Sequence, residues 1–335
     1  MSHRVRWLTR LIGPAVLAYF LATSDLHRIG SILRDVRWTP LVLSLALFPG
    51  VVVTKAWRWR RLIGELGMPT PSFGRAATLF LIGQFAGAAT PGQSGDFVRA
   101  WYLREHGSAL STALFSILFD RLLDFLLLAL LSLIGLAAFL DVFPPATRPA
   151  ILVSTTAFTL AMVIVVPALM ARRSRRALLE RMRRIVPQSL AQRLERWQTL
   201  LDSLEIHPPL VLALLGATVA ATTVVMVRIW LLFRALDVVV PPALLVASAA
   251  LISILQTLPV SIAGVGVRDA VLVAALARHG YPAERALALS ALFLMLVIEQ
   301  MLIGFLVTMR HPLGTGAAGN TISAAPRGDG VPPRA

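Results

Sequence analysis

Long apolar stretches separated by short polar segments run through most of the chain, and they determine its predicted fold class. A membrane-spanning helix needs about 20 mainly apolar residues, and these stretches approach or exceed that length. We therefore predict an all-α polytopic membrane protein. The eight candidate stretches lie at about residues 7–23, 38–54, 76–90, 110–140, 150–170, 209–233, 242–258 and 285–309.

Both ends of the chain are predicted to lie in the cytoplasm. The first apolar stretch follows the basic residues Arg4, Arg6 and Arg10, and no clear small-residue cleavage site follows it. We therefore expect a retained first helix rather than a signal peptide. The last stretch brings Arg310 to the same side. Residues 1–310 then form one transmembrane domain, and 311–335 form a disordered cytoplasmic tail.

The segment 172–207 is the exception to the apolar pattern. It holds nine Arg, and apolar residues recur in it at helical spacing. We interpret it as a basic amphipathic segment that lies on an anionic leaflet in the cytoplasm. A nucleic-acid arm is the alternative, but next to spanning helices we expect no nucleic-acid partner.

This placement requires one earlier stretch to enter and leave the membrane on the same side. If every stretch crossed once, five crossings from a cytoplasmic start would put 172–207 outside. The stretch 76–90 is short and Gly-rich and ends at Pro91-Gly92, which is typical of a broken, re-entrant helix. The stretch 242–258 ends similarly at Pro259. We therefore predict about six full spans plus two re-entrant broken helices.

The two predicted breaks are similar to each other. Each has an apolar helix, a Pro, a turn that contains Gly, and Val-Arg at the start of a new helix, with Arg99 in the first break and Arg268 in the second. Three predicted crossings separate them, so the breaks would enter from opposite faces. This indicates an inverted-topology internal repeat, the arrangement that places transporter substrate sites near the midplane. Chance recurrence of such kinks in an Arg-rich chain is the alternative.

Each break has the chemistry of an anion site. A Gly-rich turn lets backbone N–H groups converge, the next helix presents its positive dipole end, and an Arg adds a planar fork that grips phosphate. The Asp beside each Arg is expected to hold the guanidinium, to cap the helix or to carry a proton. The candidate substrate-binding residues are Pro91, Gly92, Gly95, Asp96 and Arg99 in the first break, and Pro259, Gly264, Gly266, Arg268 and Asp269 in the second.

Further charged residues lie within apolar stretches. Asp120 and Asp124 are four residues apart and share a helix face with Arg121 close by. A structural ion pair and a polar lining for a headgroup path both remain open as interpretations. We add Asp120, Arg121 and Glu299 to the candidate substrate-binding residues, and we expect Arg228 to snorkel to the interface.

The composition limits the available chemistry. The chain has no Cys, which excludes disulfides, thiol catalysis and Cys-ligated metals, and its six His show no paired spacing. We therefore expect no metal site, no cofactor and no enzymatic activity. The net charge is +15, because 31 Arg and the single Lys55 outnumber 17 Asp and Glu. We divide these into a buried set led by Arg99, Arg268 and Arg121, and a cytoplasmic surface set.

The surface set is predicted to include a basic run that follows the second apolar stretch. This run contains Arg58, Arg60 and Arg61, and it is interleaved with tryptophans. We predict that Trp57, Trp59 and the distant Trp230 are interfacial anchors.

Several motifs together are similar to those of a known family. Pro91-Gly92-Gln93-Ser94-Gly95-Asp96 with Arg99, then Phe119-Asp120-Arg121-Leu122-Leu123-Asp124, then Leu258-Pro259 and Gly264-Val265-Gly266-Val267-Arg268-Asp269 resemble the lysylphosphatidylglycerol synthase transmembrane family. The resemblance spans roughly residues 10–310. This chain has Asp96 and Asp269 where the family usually has Glu, and Gln93 where it often has a basic residue.

The resemblance implies an integral membrane flippase-like protein of the bacterial plasma (inner) membrane. It would bind anionic lipid headgroups, of phospholipid or polyprenyl-phosphate type, and move them between leaflets. It implies lipid handling rather than lipid aminoacylation, because the chain shows no counterpart of the cytosolic transferase domain. A secondary transporter of a small anion, and a non-catalytic membrane partner of an envelope enzyme, remain alternatives. Expected partners are membrane lipids, a second copy of the chain or such an enzyme.

Overall fold

The computed structural model describes residues 25–140, 145–170, 208–257 and 266–311, together with Ser174, Ala177, Glu180 and Arg181. Every regular element within these residues is a helix, which confirms the all-α class. In chain order the helices are α1 (Leu26–Arg34), α2 (Trp38–Ala46), α3 (Phe48–Glu65), α4 (Phe73–Ala88), a 3-10 helix (Pro91–Phe97), α5 (Val98–Glu105), α6 (Leu110–Phe139), α7 (Arg148–Met170), α8 (Pro208–Ala235), α9 (Pro242–Thr257), α10 (Val267–Ala277) and α11 (Ala283–Arg310).

Four segments of this described part are long and apolar enough to cross a membrane. They are Trp38–Glu65, which combines α2 and α3, and Arg148–Met170, Pro209–Ala235 and Ala283–Arg310. The protein is therefore a multi-pass membrane protein. The predictions for residues 7–23 and 312–335, and for nearly all of 172–207, lie outside the described residues. The number of six spans and the orientation of the chain stay predictions.

The first of these spans is longer than hydropathy predicts. The apolar pattern ends near residue 54, whereas the helical span continues to Glu65. A single turn at Leu47 interrupts it, and Pro49 then occupies the first turn of α3, where its missing N–H costs no helical hydrogen bond. Lys55 and Arg58 therefore lie inside a span rather than after it.

The helices α4 and α5 form a hairpin whose tip is the 3-10 helix. Thr90 closes the tip, because its Oγ1 accepts a hydrogen bond from Gly95 N at 2.6 Å. Gly95 lies directly against the Ala86 carbonyl group, so a Cβ at this position would have no space. The predicted break is therefore present as a helical hairpin with a glycine-dependent tip.

The open end of this hairpin lies where α11 ends. Tyr102 near the end of α5 donates a hydrogen bond to the carbonyl oxygen of His311 at 2.7 Å. Arg75 at the start of α4 lies 3.5 Å from the ring of His106. We call this side of the bundle the Arg310 end.

The helices α9 and α10 contact each other and open at the opposite side of the bundle. Val239, just before α9, donates a hydrogen bond to the hydroxyl of Tyr281, just before α11, at 2.8 Å. We call this side the Asp237 end. The turn between α9 and α10, which contains Pro259 and Gly264, lies outside the described residues.

The two hairpins meet inside the bundle, because the 3-10 helix contacts α9. The first opens at the Arg310 end and the second at the Asp237 end, which is the geometry that an inverted repeat requires. The repeat and the re-entrant path through a membrane stay predictions.

The spans α8 and α11 hold these hairpins in place. α8 packs along α2 and α3, whereas α11 packs along α4 and α10. One apolar core joins α8 and α11 through residues such as Phe233 and Phe293. A second packs Trp59 of α3 against α4, α5 and α6. Charged side chains cross the bundle beside this second core.

The close contact between α6 and α9 depends on Gly135. A Cβ there would lie 2.5 Å from the Cα of Ala247, whereas a Cβ at Gly216 on the exposed face of α8 would meet nothing within 4 Å. We expect Gly135→Ala to lower the free energy of unfolding by about 1–3 kcal/mol through overpacking. Gly216→Ala should raise it by up to about 1 kcal/mol through helix propensity. Thermal unfolding in one detergent measures both, and shifts of the same sign would contradict this packing.

Candidate functional site

Seven charged side chains form one network of buried and partly buried groups, which we call the central charge cluster. It has four cations and three carboxylates, so it carries one positive charge in excess. A charge deep in a bilayer costs about 3 to 15 kcal/mol when it has no partner, so such side chains must be paired or hydrated. The members are Lys55 and Arg58 on α3, Asp96 in the 3-10 helix, Arg99 on α5, and Asp120, Arg121 and Asp124 on α6.

Arg58 is the centre of one half of the cluster. Its side chain is fully buried, and its Nε donates to Asp120 Oδ1 at 2.8 Å. Its Nη1 donates to Asp124 Oδ1 at 2.7 Å and to the hydroxyl of Thr218 on α8 at 2.8 Å. Lys55 completes this half with a 2.8 Å bond to the other oxygen of Asp124. These bonds join α3, α6 and α8.

Arg99 is the centre of the other half. It is 1% exposed, and its Nη2 donates to Asp96 Oδ2 at 2.5 Å. Its guanidinium carbon lies 4.6 Å from the ring centroid of Trp59 and 5.8 Å from that of Phe80. Aromatic faces attract a cation, so these rings stabilise the guanidinium without neutralising it. Its Nη1 lies 3.9 Å from Asp120, which links the two halves.

Asp96 is held by two arginines at once. The same Oδ2 that accepts from Arg99 also accepts from Arg121 Nε at 2.9 Å. Arg121 in turn donates to the backbone oxygen of Gln93 at 3.0 Å and to its side-chain oxygen at 3.2 Å. The hairpin tip is therefore fastened to α6, and a single acceptor oxygen lies between two guanidinium groups.

Two fully buried atoms of the cluster have no hydrogen-bond partner among the described residues. They are Nη1 of Arg99 and Oδ1 of Asp96. Gly83 on α4 makes room for this pair, because a Cβ there would collide with Asp96 and lie 2.8 Å from Arg99 Cδ. A buried donor without an acceptor is costly, so Arg99 Nη1 is a position at which a ligand oxygen would be stabilising.

The second hairpin carries a smaller polar cluster at the start of α10. Asp269 caps this helix, because its Oδ2 accepts from Gly266 N at 2.8 Å, and Gly266 has the positive φ of 86° that suits glycine. Arg268 is 2% exposed and donates through Nε to Ser290 on α11 at 2.9 Å. Ser290 donates to Asp269. Nη1 of Arg268 is buried and, like that of Arg99, donates no hydrogen bond to any part of the chain that the structure describes.

The two clusters use their aspartates differently. Asp96 holds a guanidinium, whereas Asp269 mainly caps a helix and lies 3.6 Å from Arg268. Sequence reasoning listed both roles without dividing them between the sites. α11 contacts both hairpins, with Ser290 near the second cluster and Gly304 against α4. These positions are about 21 Å apart along the helix axis, so the clusters lie at different depths.

Glu299 belongs to neither arginine cluster. It pairs with Arg228 on α8, and Arg228 Nε also donates to the backbone oxygen of Ser44 on α2 at 2.7 Å. Arg228 is 2% exposed, so the prediction that it snorkels to the interface is wrong. This pair joins α2, α8 and α11, and we assign it a structural position.

The candidate residues from the sequence therefore separate into groups. The first cluster brings together Asp96, Arg99, Asp120 and Arg121, with Gly95 shaping its hairpin tip; the second brings together Gly266, Arg268 and Asp269. Pro91 and Gly92 lie in the backbone of the 3-10 helix. Pro259 and Gly264 lie outside the described residues.

Sequence reasoning missed Lys55 and Arg58 as members of the cluster, and Thr218 as a hydrogen-bond partner of Arg58. The prediction that Arg58 lies at the cytoplasmic surface is wrong, and so is the prediction that Trp59 is an interfacial anchor, because both side chains are fully buried. The spacing of apolar residues along α3 could have predicted that Arg58 is buried. Arg58 lies seven residues after Val51 and four before Leu62, both buried on the same face of α3.

Removing Arg58 would leave Asp120 and Asp124 without their main partner. We expect Arg58→Gln to lower the free energy of unfolding by about 3–5 kcal/mol, the usual effect of breaking a buried ion pair. Arg61→Gln is the matched control on the same helix, because Arg61 is exposed and lies 4.0 Å from Glu65. It should cost less than about 1 kcal/mol. Equal thermal unfolding midpoints for the two variants would contradict the cluster.

Residues 8–304 of the chain match the protein-family model described as the lysylphosphatidylglycerol synthase TM region. The match includes both hairpins and α6, and it confirms the resemblance seen in the motifs. No curated protein matches the chain. With an all-helical, multi-pass architecture and a match over most of its length, the chain belongs to the lysylphosphatidylglycerol synthase transmembrane family.

Proposed function

We propose that the protein is a lipid translocase that binds anionic headgroups, of phospholipid or polyprenyl-phosphate type, and moves them between leaflets. The observation that carries this proposal is the buried Nη1 of Arg99, which donates to no acceptor in the described part of the chain and lies in a cluster of excess positive charge. A phosphate oxygen supplies both the acceptor and the negative charge.

The bonds of Asp96 indicate how such a ligand would be held. One of its oxygens accepts from both Arg99 and Arg121. A phosphate has further oxygens in a similar geometry, and guanidinium groups bind them through parallel hydrogen bonds. In this proposal the headgroup phosphate accepts a hydrogen bond from Nη1 of Arg99 and competes with Asp96 for the shared donors. Asp96 then keeps the arginines in place when no lipid is bound.

Arg268 supplies the second site. It lies at the N-terminus of α10, where the helix dipole favours an anion, and it has the same unpartnered Nη1. The first hairpin opens at the Arg310 end and the second at the Asp237 end. Two anion sites at different depths give a headgroup successive binding positions across the bilayer.

The apolar acyl chains need no enclosed path in this proposal. Large apolar side chains such as Leu152, Val153 and Ile164 on α7 are exposed and suit contact with lipid tails. Only the headgroup would pass the arginine clusters, and no covalent bond would form or break. The proposed location is the bacterial plasma membrane, with both termini in the cytoplasm.

Neutralising both arginines should abolish the headgroup sites. We expect Arg99→Gln combined with Arg268→Gln to slow transbilayer movement of fluorescent phosphatidylglycerol by about tenfold or more, because charge-assisted hydrogen bonds to the phosphate are lost. The measurement uses proteoliposomes and a membrane-impermeant quencher that reports the label in the outer leaflet over time.

The matched control combines Arg104→Gln with Arg278→Gln. These arginines lie at the ends of α5 and α10 and are exposed, so the control removes the same charge from the same two helices. It should translocate lipid like the wild type. Unchanged rates in the Arg99 and Arg268 variant, with retained thermal stability, would contradict the proposal.

A further inference from the structure

A surface groove at the Asp237 end lies away from both arginine clusters. It encloses about 490 Å³ between the start of α2 and the end of α8. Its walls include Arg37, Trp38, Thr39, Trp230 and Arg234. Thr218 on α8 accepts a hydrogen bond from Arg58 of the central charge cluster. Arg234 lies sixteen residues after Thr218, which corresponds to about 24 Å along α8. The groove is therefore a separate feature.

The groove lies at the shared end of two candidate spans. One span begins at Trp38 and another ends at Ala235, and the two run antiparallel, as the 2.9 Å bond from Arg37 N to Ala235 O shows. The end of a spanning helix lies at the headgroup level of a bilayer, where Trp side chains concentrate. The groove is therefore placed where phospholipid phosphates lie.

Its polar wall favours an anion. Arg234 is exposed and forms no ion pair with any described residue. Arg37 is half-exposed and bonds to Asp237 at 2.9 Å. A guanidinium has five N–H donors, so Arg37 retains donors for a second acceptor. Both charged side chains that line the groove, Arg37 and Arg234, are positive.

Its aromatic wall favours a lipid over a free anion. Trp38 is 65% exposed and Trp230 is 49% exposed, so two large rings present apolar faces at the groove. Rings of this kind pack against glycerol and upper acyl carbons, while their N–H groups reach polar headgroup atoms. A soluble anion would use the arginines and leave these rings exposed to water.

We propose that this groove is a binding site for an anionic glycerophospholipid, with its phosphate between Arg37 and Arg234 and its glycerol backbone against Trp38 and Trp230. Its volume fits a headgroup with the first acyl carbons, because small-molecule sites usually enclose about 300–1,000 Å³. The site holds a lipid of the surrounding leaflet and does not depend on the translocation proposed for the inner clusters.

Tryptophan quenching by brominated lipids tests this site. The protein is placed in phosphatidylcholine nanodiscs that contain brominated phosphatidylglycerol or brominated phosphatidylcholine over the same series of mole fractions. The quenching at the groove is the difference in tryptophan fluorescence quenching between the wild type and the variant that combines Trp38→Phe with Trp230→Phe. We expect brominated phosphatidylglycerol to reach half-maximal quenching at a mole fraction about tenfold lower than brominated phosphatidylcholine does, because two arginines attract its negative charge.

Arg37→Gln combined with Arg234→Gln should remove this preference while both tryptophans remain. Arg61→Gln combined with Arg104→Gln, at the Arg310 end, is the matched control and should keep it. High salt should also reduce the preference in the wild type, which tests the idea without any substitution. Arg99→Gln with Arg268→Gln should leave it unchanged, so failure here is distinguishable from failure of the inner sites.

Equal quenching by the two lipids in the wild type would overturn the proposal, because the tryptophans would then be ordinary interfacial anchors. A preference that survives the Arg37 and Arg234 substitutions would overturn it as well.

Discussion

Buried guanidinium groups must be paired, and this constraint governs the centre of the molecule. Arg58 bonds to Asp120 and Asp124, and these bonds join α3 to α6. Because neither charge is stable alone in an apolar bundle, the register between the two helices is fixed by the pair. Asp120 also lies 3.9 Å from Arg99 Nη1, so the same carboxylate helps to position the hairpin of α4 and α5.

The buried arginines differ in how completely this constraint is met. Arg58 uses its donors on two carboxylates, a backbone oxygen and a hydroxyl. Arg99 and Arg268 each keep one buried donor with no acceptor among the described residues. A network that is fully paired around Arg58 and incomplete at Arg99 and Arg268 separates a structural element from two candidate binding positions. The aromatic rings around Arg99 stabilise the charge while leaving it available.

Local sequence patterns predicted the parts of this arrangement that lie close together in the chain. The Asp96–Arg99 pair, the hairpin tip at Gly95 and the arginine at the start of α10 each follow from a short motif. Partners that are distant in sequence were not predictable in this way. Arg228 looked like a snorkelling side chain because its partner Glu299 lies 71 residues away. Arg58 looked cytoplasmic because the run around it is rich in Arg and Trp, and its burial depends on Asp120 and Thr218 of other helices.

The lipid that the purified protein retains shows most directly whether the incompletely paired arginine cluster binds an anionic headgroup. Mass spectrometry of gently purified wild-type protein should detect lipids enriched in anionic phosphate headgroups relative to the host membrane. The Arg99→Gln variant, purified in the same way, should lose most of that enrichment, whereas Arg104→Gln should retain it. Retained lipids that mirror the bulk membrane in the wild type, or that are unchanged by Arg99→Gln, would contradict the account.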